Sequence, residues 1–155
     1  MNNPASTFAS ERQLLDSLTG LLKEEQRLLV AADAEGVAGI TPRKTQLVQQ
    51  LATEAAQRHR ALAAAGFAGG EAGMEPWLAA QGTADVRAQW ESLLDAAREA
   101  KELNRVNGML INKHMAHGQQ LLAELGANEA GGNAAVYGPG GLNIGSGPSK
   151  KFVVG

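Results

Sequence analysis

The longest regular feature of the sequence is a row of twelve positions that recur at alternating steps of four and three. This spacing is that of the a and d positions of a coiled coil, where one face of a helix packs against other helices. The row predicts a helix of about 40 residues that begins after a capping Thr83 and ends near Leu125. Its members are Val86, Trp90, Leu93, Ala97, Ala100, Asn104, Asn107, Ile111, His114, Gly118, Leu121 and Leu125.

A leucine-rich stretch near the start of the chain predicts another long helix, over about residues 7 to 32. Its apolar residues form a stripe with a period near 3.5, which is typical of a helix that packs on a core. Ser10 and Gln13 can form a capping box at its start, or the helix begins one turn earlier. Glu25 falls on the side that we expect to face solvent. The stripe consists of Phe8, Leu14, Leu15, Leu18, Leu21, Leu22, Leu28 and Leu29.

The segment DAEGVAGITPRK interrupts this pattern with two glycines and a proline. Thr41 and Pro42 predict the N-cap and first residue of a second helix, and Gly66 is a suitable residue to end it. A helix from Pro42 to about Ala65 matches the first in length, so we expect the two to pair antiparallel. Its inner face comprises Leu47, Val48, Leu51, Ala55 and Leu62.

The rest of the chain is rich in glycine. Residues 66–82 predict a loop with one short helix that begins near Glu75 and Pro76. Residues 126–155 hold nine of the nineteen glycines and lack apolar periodicity, so we expect a flexible tail without autonomous structure. The sequence thus predicts an all-α fold, an antiparallel three-helix coiled-coil-like bundle with one extra short helix. Residues 1–125 form the helical domain, and residues 126–155 form the Gly-rich tail.

Composition excludes several kinds of function. The chain has 155 residues and a formal charge of −2, so no basic field is available for nucleic acid. Cysteine is absent, which excludes disulfides and thiol nucleophiles. No apolar run approaches the length of a membrane span, and the first residues do not resemble a signal peptide. We therefore expect a cytoplasmic protein that is not inserted in a membrane.

The stretch NRVNGMLINKH stands out within the last long helix. Asn104, Asn107 and Gly108 are poor helix formers, yet they occupy its middle. One interpretation is structural, because a small or amide residue on an a/d row can fix the register between helices. The other is functional, because the exposed amides of such a stretch can bond to the main chain of a partner. The two interpretations are compatible.

Three segments together resemble the FlgN-type flagellar export chaperones. They are the leucine-rich first helix, a D-x-E-x-V-x-x-I stretch before a lysine-containing helix, and N-x-x-N-G-x-L-I in the last helix. The resemblance covers roughly residues 8–125. The residues that carry it are Asp33, Glu35, Val37, Ile40, Lys44, Asn104, Asn107, Gly108, Leu110 and Ile111.

The resemblance implies a cytoplasmic chaperone that binds hook-associated proteins, which form the hook–filament junction, before their type III export. Such proteins capture their clients with the end of the last helix and the tail. The flagellar export gate is a further partner that a tail aromatic could contact. Together with the amide-rich stretch, this predicts partner-binding at Asn104, Asn107, Gly108, Ile111, Leu121, Leu122, Leu125, Val136, Tyr137, Leu142 and Ile144.

Two other classes of function compete with the chaperone role. The long a/d row could serve a structural coiled coil that self-associates, as a homodimer without an export client. An enzyme or metal protein would need a constellation of residues that the sequence lacks. His114 and His117 lie on adjacent turns, but neither has a glutamate three residues before it, as carboxylate-rich bundle sites require. We therefore expect no catalysis, no metal and no cofactor.

Overall fold

The computed structural model describes residues 3–128. In this range the chain forms four α-helices, α1 (Phe8–Val30), α2 (Ala34–Ala64), α3 (Met74–Gln81) and α4 (Ala84–Asn128). Two short 3-10 helices, Pro4–Thr7 and Glu71–Gly73, precede α1 and α3. The predicted all-α class is confirmed. The chain divides into two compact units, residues 1–108 and 109–155, so the boundary falls within α4.

The start of α1 lies one turn before the predicted capping box. Asn3 accepts a hydrogen bond from the backbone N–H of Ala5 at 3.0 Å and caps the 3-10 helix Pro4–Thr7. This helix leads directly into α1, so Ser10 lies inside the helix and does not cap it. Pro4 is tolerated because the first residues of a helix have no intrahelical acceptor for their N–H groups.

The prediction that the second helix begins at Thr41 and Pro42 was wrong, because α2 begins eight residues earlier, at Ala34. Asp33 caps it by accepting a hydrogen bond from the backbone N–H of Gly36 at 2.9 Å. Pro42 lies inside the helix, and the Thr41 hydroxyl donates to the carbonyl of Val37 at 2.9 Å. The Asp33 cap and the acidic Glu35 in the first turn favour a start at this point, and α2 continues through Pro42 although proline removes one helical hydrogen bond.

Helices α1 and α2 are antiparallel, as predicted. Glu11 pairs with Arg58 and Glu25 pairs with Lys44. Residue numbers therefore rise along α1 in the direction in which they fall along α2. The other predicted helix boundaries are also close to those observed. Gly66 adopts a φ of 92° just after α2, and the Thr83 hydroxyl accepts from the backbone N–H of Val86 at the start of α4.

The core of the first unit lies between α1, α2, α3 and the first part of α4. Phe8 of α1 stacks on Trp90 of α4 with ring centroids 5.5 Å apart. Further along, Arg12 contacts Ser92 and Lys23 pairs with Glu99, so α4 runs parallel to α1. The buried apolar cluster comprises Phe8, Leu15, Leu18, Leu22, Leu47, Leu62, Met74, Trp77, Leu78, Trp90, Leu93, Ala96 and Ala100.

Candidate partner-binding surface

Asn107 is completely buried and bonds to α1. Its side-chain N–H groups donate to the carbonyl of Leu22 at 2.9 Å and to Oε1 of Glu25 at 2.8 Å. Its Oδ1 is buried and has no donor within the part of the chain that the structure describes. These bonds fix α4 against α1, as the structural interpretation of the amide-rich stretch predicts. A partner would reach this amide only after the bonds opened.

Glu25 joins all three long helices. Although the sequence places it on the predicted solvent-facing side of α1, only 2% of the residue is exposed. Both of its carboxylate oxygens accept from Nζ of Lys44 on α2 at 3.1 Å, in addition to the bond from Asn107 of α4. A buried carboxylate is stable in a protein when it is paired and hydrogen-bonded in this way. The earlier expectation for Glu25 was therefore wrong.

A second buried ion pair lies nearer the start of α1. Arg58 of α2 donates to both carboxylate oxygens of Glu11 at 3.0 Å, and Thr7 donates to the same carboxylate at 2.8 Å. The guanidinium carbon lies 4.8 Å from the centre of the Trp90 ring, a cation–π geometry. Arg58 also donates to Glu71 at 3.1 Å. This cluster fixes α2 against α1, α4 and the 3-10 helix Glu71–Gly73 before α3.

The charges of this cluster shift two pKa values. Burial lowers the pKa of Arg58, but hydrogen bonds and charge from Glu11 and Glu71 outweigh it and leave the pKa raised. Burial raises the pKa of Glu71, but the bond and charge of Arg58, together with His59, leave it below its ordinary value of 4.5. Both groups therefore stay charged over a wider range of pH in the folded protein.

The other two members of the amide-rich stretch are placed differently from Asn107. Asn104 is exposed on α4, and its side chain makes no hydrogen bond within residues 3–128. Gly108 is half-buried, and a methyl group added there would meet no atom within 4 Å. The stretch thus divides into one residue that serves the fold and two that leave room for a contact.

The second unit exposes large apolar side chains on the last part of α4. Leu121 is 47% exposed, Leu122 58% and Leu125 57%. Met115, which is not among the predicted contacts, is 58% exposed, while Ile111 is half-buried. Isolated soluble proteins seldom leave so many neighbouring large apolar groups in water, so such a surface indicates an interaction site.

These side chains share one face of the helix. At 100° per residue, the positions 111, 115, 118, 122 and 125 fall within a narrow arc, and 121 lies at its edge. We call this face the distal strip, defined as Ile111, Met115, Gly118, Leu121, Leu122 and Leu125. Met115 was missed because it lies beside the a/d row, not on it. The opposite face carries polar residues and alanines, among them Ala116, Gln120, Ala123 and Glu124.

The two histidines of this segment do not form a metal centre with other residues that the structure places. His114 and His117 are both exposed. Among residues 3–128, no cluster of three or more histidine, aspartate or glutamate side chains is arranged to hold a metal ion. No helix in this range has both the length and the apolar character needed to cross a membrane.

The remaining predicted contacts lie outside the described residues. They are Val136, Tyr137, Leu142 and Ile144.

Comparison with known proteins agrees with the resemblance in the sequence. No curated protein and no solved structure matches the chain significantly. The profile of the family described as FlgN protein matches residues 1–143, which is most of the chain. The match includes both buried polar clusters, the amide-rich stretch and the distal strip. The chain therefore belongs to the FlgN family, a family of flagellar export chaperones.

Proposed function

We propose that this protein binds hook-associated proteins in the bacterial cytoplasm and delivers them to the flagellar type III export apparatus. The distal strip is the capture surface in this proposal. The observation that carries it is the exposure of Met115, Leu121, Leu122 and Leu125 within eleven consecutive residues of one helix. Membership of the FlgN family supports a role in client binding, and burial of the exposed side chains supplies the binding free energy in this proposal.

The physics of such a surface suits a chaperone that must also release its client. Complete burial of one leucine or methionine side chain contributes about 1.5–3 kcal/mol. The four side chains are about half exposed already, so covering them supplies only part of that value for each. An amphipathic helix of the client can cover them with side chains at i, i+3, i+4 and i+7. The result is specific capture that remains reversible.

The tail extends this proposal. We assign residues 1–125 to the helical domain and residues 126–155 to a tail that adds contacts through Val136, Leu142 and Ile144. Tyr137, as the sole tyrosine, is the proposed contact for the export gate. Aromatic side chains often contribute much of the binding energy of a short contact. Ile111, the first residue of the distal strip, completes the surface on the helix side.

The test is binding of purified hook-associated proteins to the full chain, measured by titration calorimetry. The variant Leu122→Asp/Leu125→Asp should weaken binding at least about tenfold, since a carboxylate on the strip must lose water when the client covers it. Ala116→Asp/Ala123→Asp is the matched control, because it adds the same charges to the opposite face. A chain ending at residue 128 should bind more weakly than the full chain while keeping its helix content.

The same exposed strip also favours a second candidate, a homodimer formed by two strips packed together. Sedimentation of the full chain distinguishes the two functions. A dimer that persists at all concentrations and binds none of the hook-associated proteins would contradict the export role. A chain whose dimer dissociates when the client is added would support it, since both partners then compete for one surface.

A further inference from the structure

A shallow groove of about 240 Å³ lies between α1, α2 and α4 in the first unit. It is separate from the distal strip in sequence, since all its residues precede Gly108. Six of its nine lining residues are apolar, two are lysines and one is an asparagine. They are Leu15, Leu18, Leu22, Lys44, Val48, Ala97, Ala100, Lys101 and Asn104.

The apolar part of the groove is accessible at one side. Leu15, Leu18 and Leu22 form the floor and are at most 8% exposed. Val48 on α2 is 49% exposed, although the sequence predicts it on the inner face of that helix. A β-branched apolar side chain beside a leucine floor leaves a surface that one or two apolar side chains of a partner can cover.

The polar part of the groove is positive. Lys44 uses two of its three N–H donors for Glu25, which leaves one for a further acceptor. Lys101 makes no ion pair within residues 3–128, and the amide of Asn104 likewise lacks a hydrogen bond there. No carboxylate lines the groove, and the one beneath Lys44, that of Glu25, is buried and already paired.

We propose that this groove docks an acidic amphipathic helix from a partner protein. The apolar side chains of the partner helix cover Val48 and the leucine floor. Its flanking carboxylates bind Lys44 on one side and Lys101 on the other. Asn104 donates from its side-chain amide to the same helix. This assignment gives a role to the residue of the amide-rich stretch that the fold leaves unused. It adds a second docking surface to the proposed capture of clients.

The charge pattern selects this occupant. A nucleic acid would need a wider basic field than two lysines on a chain with net charge −2. A second copy of the chain is a poorer fit, because several of its exposed carboxylates already pair with arginines on the same helix, as in Glu24–Arg27, Asp95–Arg98 and Glu102–Arg105. A partner with free carboxylates beside an apolar face matches both features of the groove.

The experiment uses a fluorescent synthetic helix of about 20 residues, long enough to be helical, with leucine on one face and glutamate on both flanks. Its twin carries lysine in place of glutamate. Anisotropy titration with the full chain should show the glutamate peptide binding about tenfold or more tightly than the twin, with affinity falling as salt is added. Lys101→Glu and Val48→Asp should each weaken binding about tenfold, and Asn104→Ala by a smaller factor.

Matched variants separate this proposal from the capture of clients. Arg60→Glu reverses an exposed charge on α2 outside the groove and should leave peptide affinity unchanged. Leu122→Asp should also leave it unchanged. Loss of peptide binding in Leu122→Asp would place the peptide on the distal strip and overturn the groove proposal alone. Failure of the wild-type chain to bind any hook-associated protein, with peptide binding intact, would instead overturn the proposed function alone.

Four further results would overturn the groove proposal. Equal affinity for the two peptides would show that the groove does not recognise charge. No effect of Lys101→Glu on peptide affinity would show the same. Much tighter peptide binding by a chain ending at residue 128 would make the tail the occupant. A dimer that Lys101→Glu dissociates would make a second copy the occupant.

Discussion

Asn107 on α4 donates a side-chain N–H to Oε1 of Glu25 on α1 at 2.8 Å, across 82 residues of sequence. Glu25 in turn accepts from Lys44 on α2. Lys44 and Asn107 belong to two separate segments that resemble the FlgN family, and one buried carboxylate joins them. The unfavourable amide in the middle of a long helix is thus explained by a contact that holds three helices together.

Asn107→Asp should destabilise the protein by more than about 2 kcal/mol, because it removes two hydrogen bonds and places a second carboxylate beside the buried Glu25. Asn104→Asp is the matched control, since it makes the same change three residues away at an exposed position. We expect its effect to stay within about 0.5 kcal/mol. Urea unfolding followed by circular dichroism measures both. Equal losses in the two variants would show that the buried network is not what distinguishes them.

Arg58→Met should destabilise the fold by about 3–5 kcal/mol, because Glu11 is then buried without its cation. Arg98→Met breaks an ion pair whose two side chains are at least 70% exposed, so its cost should stay below about 1 kcal/mol. The double variant Glu11→Leu/Arg58→Met should recover much of the loss, since no charge is left buried. A double variant less stable than Arg58→Met would mean that the pair itself, not the uncompensated charge, dominates.

Glu71 should make stability depend on pH at the acid end. Its pKa is lowered in the folded protein, so its contribution is present above the unfolded pKa near 4.5 and is lost as pH falls through the lower folded value. The wild type should therefore be more stable than Glu71→Gln at pH 7, and the difference should vanish in strong acid. Unfolding curves at a series of pH values measure this difference.

The polar residues that hold the bundle together follow a pattern that is visible in the sequence. In α1, the positions Phe8, Glu11, Leu15, Leu18, Leu22, Glu25 and Leu29 alternate in steps of three and four, and all seven are buried. The leucines of this row predict the core face of α1, whereas Glu25 was expected to face solvent. The two glutamates lie 14 residues apart, and so do Lys44 and Arg58 on α2. Matching acids and bases at core positions of adjacent helices were the signal that was missed.

The distal strip could be predicted in part. Leu121, Leu122 and Leu125 were predicted as partner-binding residues, and all three are exposed. Met115 could not be found by following the a/d row, because it lies one position after His114 and therefore beside the row. The groove could not be predicted at all, since it depends on three helices that bring Lys44, Val48 and Lys101 together.

The turn between α1 and α2 was missed because its key residue is an alanine. Ala32 has a φ of 57°, and the backbone N–H of Asp33 donates to the carbonyl of Leu28 at 2.9 Å. This is the same pattern of bonds that Gly66 allows after α2, where the N–H of Phe67 donates to the carbonyl of Leu62. Asp33, the next residue, caps α2, so only residues 31–33 separate the two helices.

Ala32→Gly should therefore stabilise the protein by up to about 1 kcal/mol, because glycine adopts a positive φ without the steric cost that a Cβ brings. Ala31→Gly is the control one residue earlier, where φ is −81° and glycine only adds freedom to the unfolded chain. That variant should lose up to about 1 kcal/mol. Urea unfolding of the two variants beside the wild type gives both values. If Ala32→Gly proved the less stable of the two, the tight turn from Ala31 to Asp33 would not be the conformation that joins α1 to α2 in solution.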